Sequence, residues 1–330
     1  MNKLKKILLI GCGELGSRHL QAIASLGDVG EIDVVEPNDK SIELGKERIK
    51  EISDLNDKIK FRWFKGIDKS SSGGDLCIVA TRADVRCRLV KQAAGDLNYK
   101  YFLIEKIVSQ SVREYADLMD FAAKKGLSIW VNCKTRSYEI HKYIKSHLNN
   151  SEPIVFSRIG GNHGLATNGV HTADLFIYYD GTREIKSCGS RIDNMLHSTK
   201  RSQGVYDLSG CLYGYSDKGS DFMLSFAAGH TGPDLISITS PSCRFIVDHS
   251  QRFCFEGYPE SGWQWKPVPI TENWLVSNIT KQFARDIFDK GACGLPTLKE
   301  CFPAHKYILE ELLPYFNKLL KVDNGSSPVT

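Results

Sequence analysis

Residues 7–20 read Ile7-Leu-Leu-Ile10-Gly11-Cys-Gly13-Glu14-Leu15-Gly16-Ser-Arg-His19-Leu20, and this stretch decides the fold. An apolar run meets three glycines at the spacing G-x-G-x-x-G. Gly11 permits a tight turn out of a strand. Gly13 presents no side chain, so a pyrophosphate can come close to the backbone. Gly16 lets the next helix pack tightly on the sheet. The helix start then turns N–H groups and a positive dipole end toward the phosphates. Glycine-rich loops are common, and the surroundings give this one its weight. A helix with Leu20, Ile23, Ala24 and Gly27 follows, then a second strand, Glu31-Ile-Asp-Val-Val-Glu36. Glu36 stands 20 residues after Gly16, where a dinucleotide fold keeps the carboxylate that binds a ribose.

The alternation continues outward. Strands are expected at 5–10, 31–36, 60–64, 76–80, 101–104 and 128–132. Helices are expected near 15–26, 39–52, 84–94 and 111–124. Together they predict a doubly wound parallel α/β sheet of the Rossmann type. Thr81 and Arg82 follow one strand and Glu105-Lys106 another, at carboxyl ends that face a ligand crevice in such sheets. From about residue 137 the texture changes. A helix at 138–148, a strand at 154–159 and a Gly/Asn-rich segment lead to His171, where a helix spans 170–179. A strand-rich stretch over 183–270 predicts an open, mostly antiparallel sheet with helices on one face. Two helices close the chain near 274–290 and 299–321, and the polar segment 323–330 is expected to fray. Two domains follow: a dinucleotide-binding domain over 1–133, and an α+β domain over 134–330.

Bulk properties narrow the function. In 330 residues the net charge is +4, with no basic run, so nucleic acid is not an expected partner. The basic start precedes only four apolar residues before Gly11, which reads as a first strand rather than a leader. No stretch approaches the roughly 20 apolar residues of a membrane span, so no membrane partner is expected. Ten scattered cysteines lack any C-x-x-C pair, and the nine histidines show no metal spacing. Reduced cytoplasmic thiols and no metal are therefore expected.

The chain resembles the Gfo/Idh/MocA family of nicotinamide-dependent oxidoreductases over essentially its whole length. Three motifs carry the resemblance: Gly11–Gly16 with Ser17-Arg18-His19; Glu105-Lys106, where the family has Glu-Lys-Pro; and Asn168-Gly-Val-His171-Thr-Ala-Asp174, where it has a histidine followed three residues later by Asp. The resemblance implies that Lys106 polarises the reacting oxygen and that His171 transfers the proton. An unperturbed imidazole titrates near 6.5, which suits that task. It also implies a cofactor cleft lined by Gly11, Gly13, Glu14, Leu15, Gly16, Glu36, Thr81, Arg82, Glu105, Lys106 and Asn132. Arg136, Asn162, Thr167 and Asn168 are implied near the substrate. Glu36 favours NAD over NADP, because a carboxylate repels a 2′-phosphate.

Two departures stand out. Thr167 occupies the position where many members carry Asp, four residues before the histidine, and Ile107 replaces the usual proline. The segment Asn162–His171, with Asn168 three residues before the histidine, is instead similar to a subset associated with bacterial surface-sugar and nonulosonic-acid gene clusters, and the Ile107 departure agrees. The expected substrate is a sugar, polyol or nucleotide-linked sugar, oxidised or reduced at a secondary hydroxyl or ketone. The alternatives are a dinucleotide-binding sensor or scaffold without turnover, and a reductase of an imine or tetrapyrrole-like substrate. A homodimer or homotetramer is expected. The aromatic group Tyr258, Trp263, Trp265 and Trp274 reads mainly as core or interface, with 257–269 as a hairpin arm.

Overall fold

A computed structural model describes residues 4–53, 55, 58–199 and 204–330. Part of the basic lead-in, and residues 200–203 of the expected strand-rich stretch, lie outside the described residues. The chain divides into two compact units.

The first unit takes the residues up to Ser109, then Arg113–Asn132 and Asn273–Leu298. Its strands are β1 (Lys5–Ile10), β2 (Val29–Val35), β3 (Lys60–Phe64), β4 (Leu76–Val79), β5 (Tyr101–Ile104) and β6 (Ser128–Val131). They form one parallel sheet in the order β3-β2-β1-β4-β5-β6. Between them run α1 (Gly16–Ala24), α2 (Asp39–Lys50), α3 (Ala83–Gly95) and α4 (Val112–Lys125). The central strands are apolar over Ile7–Ile10 and Leu76–Val79 because helices cover both faces of such a sheet: Ile7, Leu8, Leu9, Leu76, Cys77 and Ile78 are fully buried. The order reverses between β1 and β4, so the carboxyl ends of these two strands open a crevice.

One expectation about domain limits is corrected. The stretch 134–330 does not form one body, because α7 (Val276–Lys290) belongs to the first unit. The reason is apolar packing: Phe283, Ala284 and Ile287 of α7 join Leu20, Ile23 and Ala24 of α1 in one cluster. A backbone bond from Val131 to the Pro296 carbonyl (2.9 Å) ties the following segment to the β6 edge.

The second unit takes Gln110–Val112, Cys133–Glu272 and Lys299–Thr330. Helix α5 (Glu139–His147) precedes β7 (Val155–Gly160), and α6 (Leu165–Asp180) follows it. Then come β8 (Lys186–Ile192), β9 (His197–Ser198), β10 (Tyr206–Asp207), β11 (Gly210–Tyr215), β12 (Asp221–Phe226), β13 (Leu235–Thr239), β14 (Arg244–Asp248), β15 (Phe253–Gly257) and β16 (Lys266–Pro269). Helix α8 (Leu298–Leu320) closes the series. Eight strands form one sheet in the order β16-β15-β14-β13-β7-β12-β11-β8; β9 and β10 pair separately. Every pair in the large sheet is antiparallel except β7 with β12.

Alternation along these strands buries one face under helices. Phe156 and Phe222 stack at 6.0 Å and meet Phe176 of α6, while Tyr307 of α8 meets Phe222 edge-on. The other face leaves Val155, Ile159, Tyr213, Tyr215 and Leu235 exposed.

Two further expectations change. Helix α6 starts at Leu165, five residues before the expected start, so Thr167 and Asn168 are helical. The segment 323–330 does not fray: Ser327, Val329 and Thr330 are buried. Gln110 accepts from the Ser327 N–H (2.8 Å) and donates to the Val329 carbonyl (2.9 Å), and Tyr206 donates to the Pro328 carbonyl. Its polar composition hid these backbone pairings. No helix among the described residues is long and apolar enough to cross a membrane.

Candidate functional site

In the first unit the glycine loop is built by close approach. Gly11 has φ +89°, and a Cβ there would lie 2.9 Å from the Ala80 carbonyl oxygen. A Cβ on Gly16 would fall 2.0 Å from the Gly11 carbonyl oxygen. A Cβ on Gly13 would meet nothing within 4 Å. Gly11 and Gly16 therefore hold the turn, while Gly13 leaves open space in front of the backbone. Among the described residues no side chain caps the first turn of α1, and no acid occupies it, so its dipole end is available to an anion.

A groove of about 740 Å³ runs along this turn, lined by Gly11, Gly13, Glu36, Ile67, Thr81 and Arg82 among others. The Glu36 carboxylate accepts the Cys12 N–H at 2.7 Å and the Asn38 N–H at 2.9 Å. Each oxygen keeps lone pairs for a further donor. Thr81 Oγ1 is buried with no partner among the described residues. An open backbone approach, a carboxylate with spare acceptor capacity and a buried hydroxyl awaiting a partner all fit a dinucleotide.

Glu14, Leu15 and Gly16 do not line this groove. The Glu14 carboxylate turns to Arg48, which also bonds the Glu14 carbonyl and Ser17. Glu105, Lys106 and Asn132 form a separate buried group at the ends of β5 and β6. Glu105 accepts from Asn132 Nδ2 (2.5 Å) and meets His19 Nε2 at 2.9 Å; His19 Nδ1 meets Thr280 Oγ1 at 2.9 Å. Burial pushes the Glu105 carboxyl upward, but the His19 and Asn132 hydrogen bonds outweigh it and bring the group down to about 2. Glu105 is thus an anchored anion, and Lys106, the next residue in the chain, is buried as well. Arg86 braces the same end of the sheet, donating to the carbonyls of Thr81 and Ile107.

In the second unit α6 carries Thr167, Asn168 and His171. Its N-cap, Gly164, has φ +83° and offers no side chain. The Asp207 carboxylate replaces a local cap: Oδ1 accepts the Ala166 N–H at 2.7 Å, and Oδ2 lies 3.3 Å from the Thr167 N–H. A carboxylate from β10 therefore reaches the backbone of the residue that stands where many members of the resembled family carry Asp. Asn168 Nδ2 donates to the His163 carbonyl (2.5 Å), and Asn162 accepts the Gly164 N–H at 3.4 Å. His171 is half-buried three residues on from Asn168, on the same helical face. Arg136 is committed to Asp174, with Nε 2.8 Å from Oδ2 and Nη2 on Oδ1 at 2.5 Å, and lies over the Tyr178 ring. The aromatics divide: Arg244 is 3.9 Å from the Trp265 ring centroid and also faces Trp263 on the hairpin arm, so these rings pair with a cation of the protein itself.

Sequence reading singled out neither Arg86 nor Asp207, and it quoted His19 without giving it a role. Arg86 and His19 had a signal, since each lies on the buried stripe of an amphipathic helix where a polar side chain needs a partner. Asp207 had none: its target is 40 residues away in the chain.

No family model matches the sequence, and no curated protein matches it. Solved structures do. An oxidoreductase from Agrobacterium radiobacter, in complex with NAD+, L-tartaric acid and magnesium, superimposes with a TM-score of 0.74 at 13% identity, over 96% of this chain and 97% of that one. The UDP-N-acetylglucosamine 3-dehydrogenase GnnA from Acidithiobacillus ferrooxidans gives 0.69 at 14%, over 94% and 96%. A super-repressor mutant of Gal80p from Saccharomyces cerevisiae gives 0.70 at 14%, over 97% of each chain. At these identities the likeness is one of fold. It confirms a six-stranded Rossmann-like sheet joined to a domain built on a mostly antiparallel eight-stranded sheet.

Proposed function

We propose that this chain is an NAD-dependent dehydrogenase or reductase acting on a secondary hydroxyl or ketone of a sugar, polyol or nucleotide-linked sugar. The observation that carries it is the groove of the first unit, where Gly13, Glu36 and the unpartnered Thr81 hydroxyl fit a dinucleotide. The nicotinamide would give or take the hydride. Glu36 would accept the ribose hydroxyls and disfavour a 2′-phosphate. Lys106, buried just past the end of β5, would polarise the substrate oxygen, as a cation does most effectively where burial lowers the dielectric. His171 would take the hydroxyl proton on oxidation and return it on reduction. Asn168 and Asn162 would match substrate hydroxyls. The likeness to a sugar-nucleotide dehydrogenase supports this choice of substrate class, and the Asn168/His171 pattern supports a role in surface-sugar metabolism. The uncovered sheet face with Val155, Ile159 and Leu235 would join two copies; light scattering would read a dimer or tetramer.

The test is single-turnover absorbance of the nicotinamide with a panel of sugars and sugar nucleotides. Hydride transfer to or from at least one is expected. In Lys106→Ala turnover should vanish while NAD binding, read by calorimetry, stays within about threefold. Retained turnover removes Lys106 from the chemistry. The rival reading is a dinucleotide-binding sensor, favoured by Thr167 in place of Asp and by a super-repressor sharing the fold. It requires NAD binding with no absorbance change across the panel.

A further inference from the structure

We propose that Cys133, Asp174 and Cys301 form a buried site for a divalent cation of the zinc class. The three residues come from separate places in the second unit: the segment just after β6, the middle of α6, and the first turn of α8. One ligand atom of each lies within 4.8 Å of the other two, and all three side chains are buried. The two sulfurs are 3.3 Å apart. His305, one turn further along α8, keeps Nδ1 on the Cys301 carbonyl at 3.0 Å, with Cys301 Sγ at 3.5 Å, so the protein supplies three ligand groups and a solvent oxygen would complete the set.

The donor set selects the ion. Two thiolates with a carboxylate oxygen suit zinc; magnesium and calcium prefer oxygen alone. Arg136 grips the Asp174 carboxylate yet leaves each oxygen a second lone pair. That is the usual place for the outer partner of a metal-bound carboxylate. Charge also closes: two thiolates and one carboxylate bring three negative charges, and Arg136 with a divalent ion brings three positive. A tetrahedral ion about 2.3 Å from each sulfur needs the sulfurs about 3.8 Å apart. The pair must open by about half an ångström, within side-chain adjustment. A disulfide would require closing by more than an ångström, to about 2.05 Å, and would give the neighbouring carboxylate no part. Ligands at positions 133, 174 and 301 have no short sequence spacing, which is why the sequence alone led to an expectation of no metal.

The experiment uses the full chain, purified reduced and without chelator, with zinc measured by mass spectrometry. Chelator-stripped protein is then titrated with cobalt(II). The expected result is close to one equivalent of zinc, and a near-ultraviolet thiolate-to-cobalt band with tetrahedral visible bands. Cys133→Ser and Cys301→Ser should each abolish or strongly reduce the band. Asp174→Asn should weaken cobalt binding by about 10-fold or more. Cys188→Ser, at an exposed thiol on β8, should leave everything unchanged. Less than about a tenth of an equivalent with no thiolate band overturns the proposal, as does a band that survives in the double serine variant. An intact-mass loss of two hydrogens showing a Cys133–Cys301 disulfide also overturns it. If the serine variants do not fold, stoichiometry and cobalt spectra of the unaltered protein decide alone.

Discussion

The glycine loop of the first unit and helix α6 of the second are both built around a helix N-terminus, and they treat it in opposite ways. At α1 no side chain caps the first turn and space lies open before Gly13. At α6 the Asp207 carboxylate takes the first N–H groups and fills the space that a Gly164 side chain would need. The first terminus is left available to an anion from outside, while the second is closed by an anion from within. An available terminus suits a ligand phosphate. A closed one suits a helix whose task is to hold Asn168 and His171 in place.

The sharpest way to break this contrast is through the glycines. Gly16→Ala places a methyl 2.0 Å from a backbone oxygen that has no room to retreat. A loss well above about 3 kcal/mol is expected, the upper end for overpacking, so folded protein should scarcely accumulate; soluble yield and urea unfolding measure it. Gly13→Ala meets no atom of the described residues within 4 Å and should leave the urea midpoint within error, yet weaken NAD binding. Equal stability losses in the two variants would show that Gly13 serves the fold rather than a ligand.

Next in size is His171→Ala. General acid–base groups contribute about 10²- to 10⁴-fold, so kcat with any panel substrate should fall by that range while the calorimetric Kd for NAD holds. A fall below tenfold would transfer the proton role to another group.

The two regions were unequally legible. The first could be read because its strand, loop and helix are contiguous, so the glycine spacing is visible in a single stretch. The sheet order of the second could not, since the parallel β7–β12 pair joins Val155 to Asp221 across a whole helix and several strands. Helix α7 was expected near 274–290, but a helix expected from sequence does not say which core it enters; Phe283 and Ile287 go back to α1. The candidate residues were found by motif, yet what holds them was not. Glu105 depends on His19, 86 positions earlier, and the Thr167 backbone on Asp207, 40 positions later.

Acid should separate the units. In the second, His141 is buried with Nδ1 on the Tyr179 hydroxyl and Nε2 2.7 Å from His249 Nε2. Burial, then the neighbouring His249 and Arg158 charges, keep His141 well below its ordinary value; burial, then Arg158, bring His249 to about 4. The unfolded chain binds more protons between about 6.5 and 4, so this contribution is present above 6.5 and is lost as pH falls toward 4. Each histidine gives a slope of about 1.4 kcal/mol per pH unit at most. In the first unit Glu105 sits at about 2 against 4.5 unfolded, so its contribution persists to about pH 4.5 and fades below. Hydrogen exchange between pH 7 and 5 should show the second unit losing protection first; equal loss in both would sink the assignment.

The smallest expected effect tests the closed terminus itself. Asp207→Asn keeps one oxygen for the Ala166 and Thr167 N–H groups but removes the charge. A partly buried charge at a helix end is worth about 0.3–2 kcal/mol, so a loss near 1 kcal/mol is expected. Asp207→Ala removes the acceptor as well, and leaving the N–H groups unpaired should raise the loss to about 1–3 kcal/mol. If both variants lose the same amount, charge explains the cap and hydrogen bonding adds nothing. If neither loses stability but kcat falls while KM for the panel substrate holds, Asp207 acts through Asn168 and His171 rather than on the fold. The contrast between an available and a closed helix start would then be one of function on both sides.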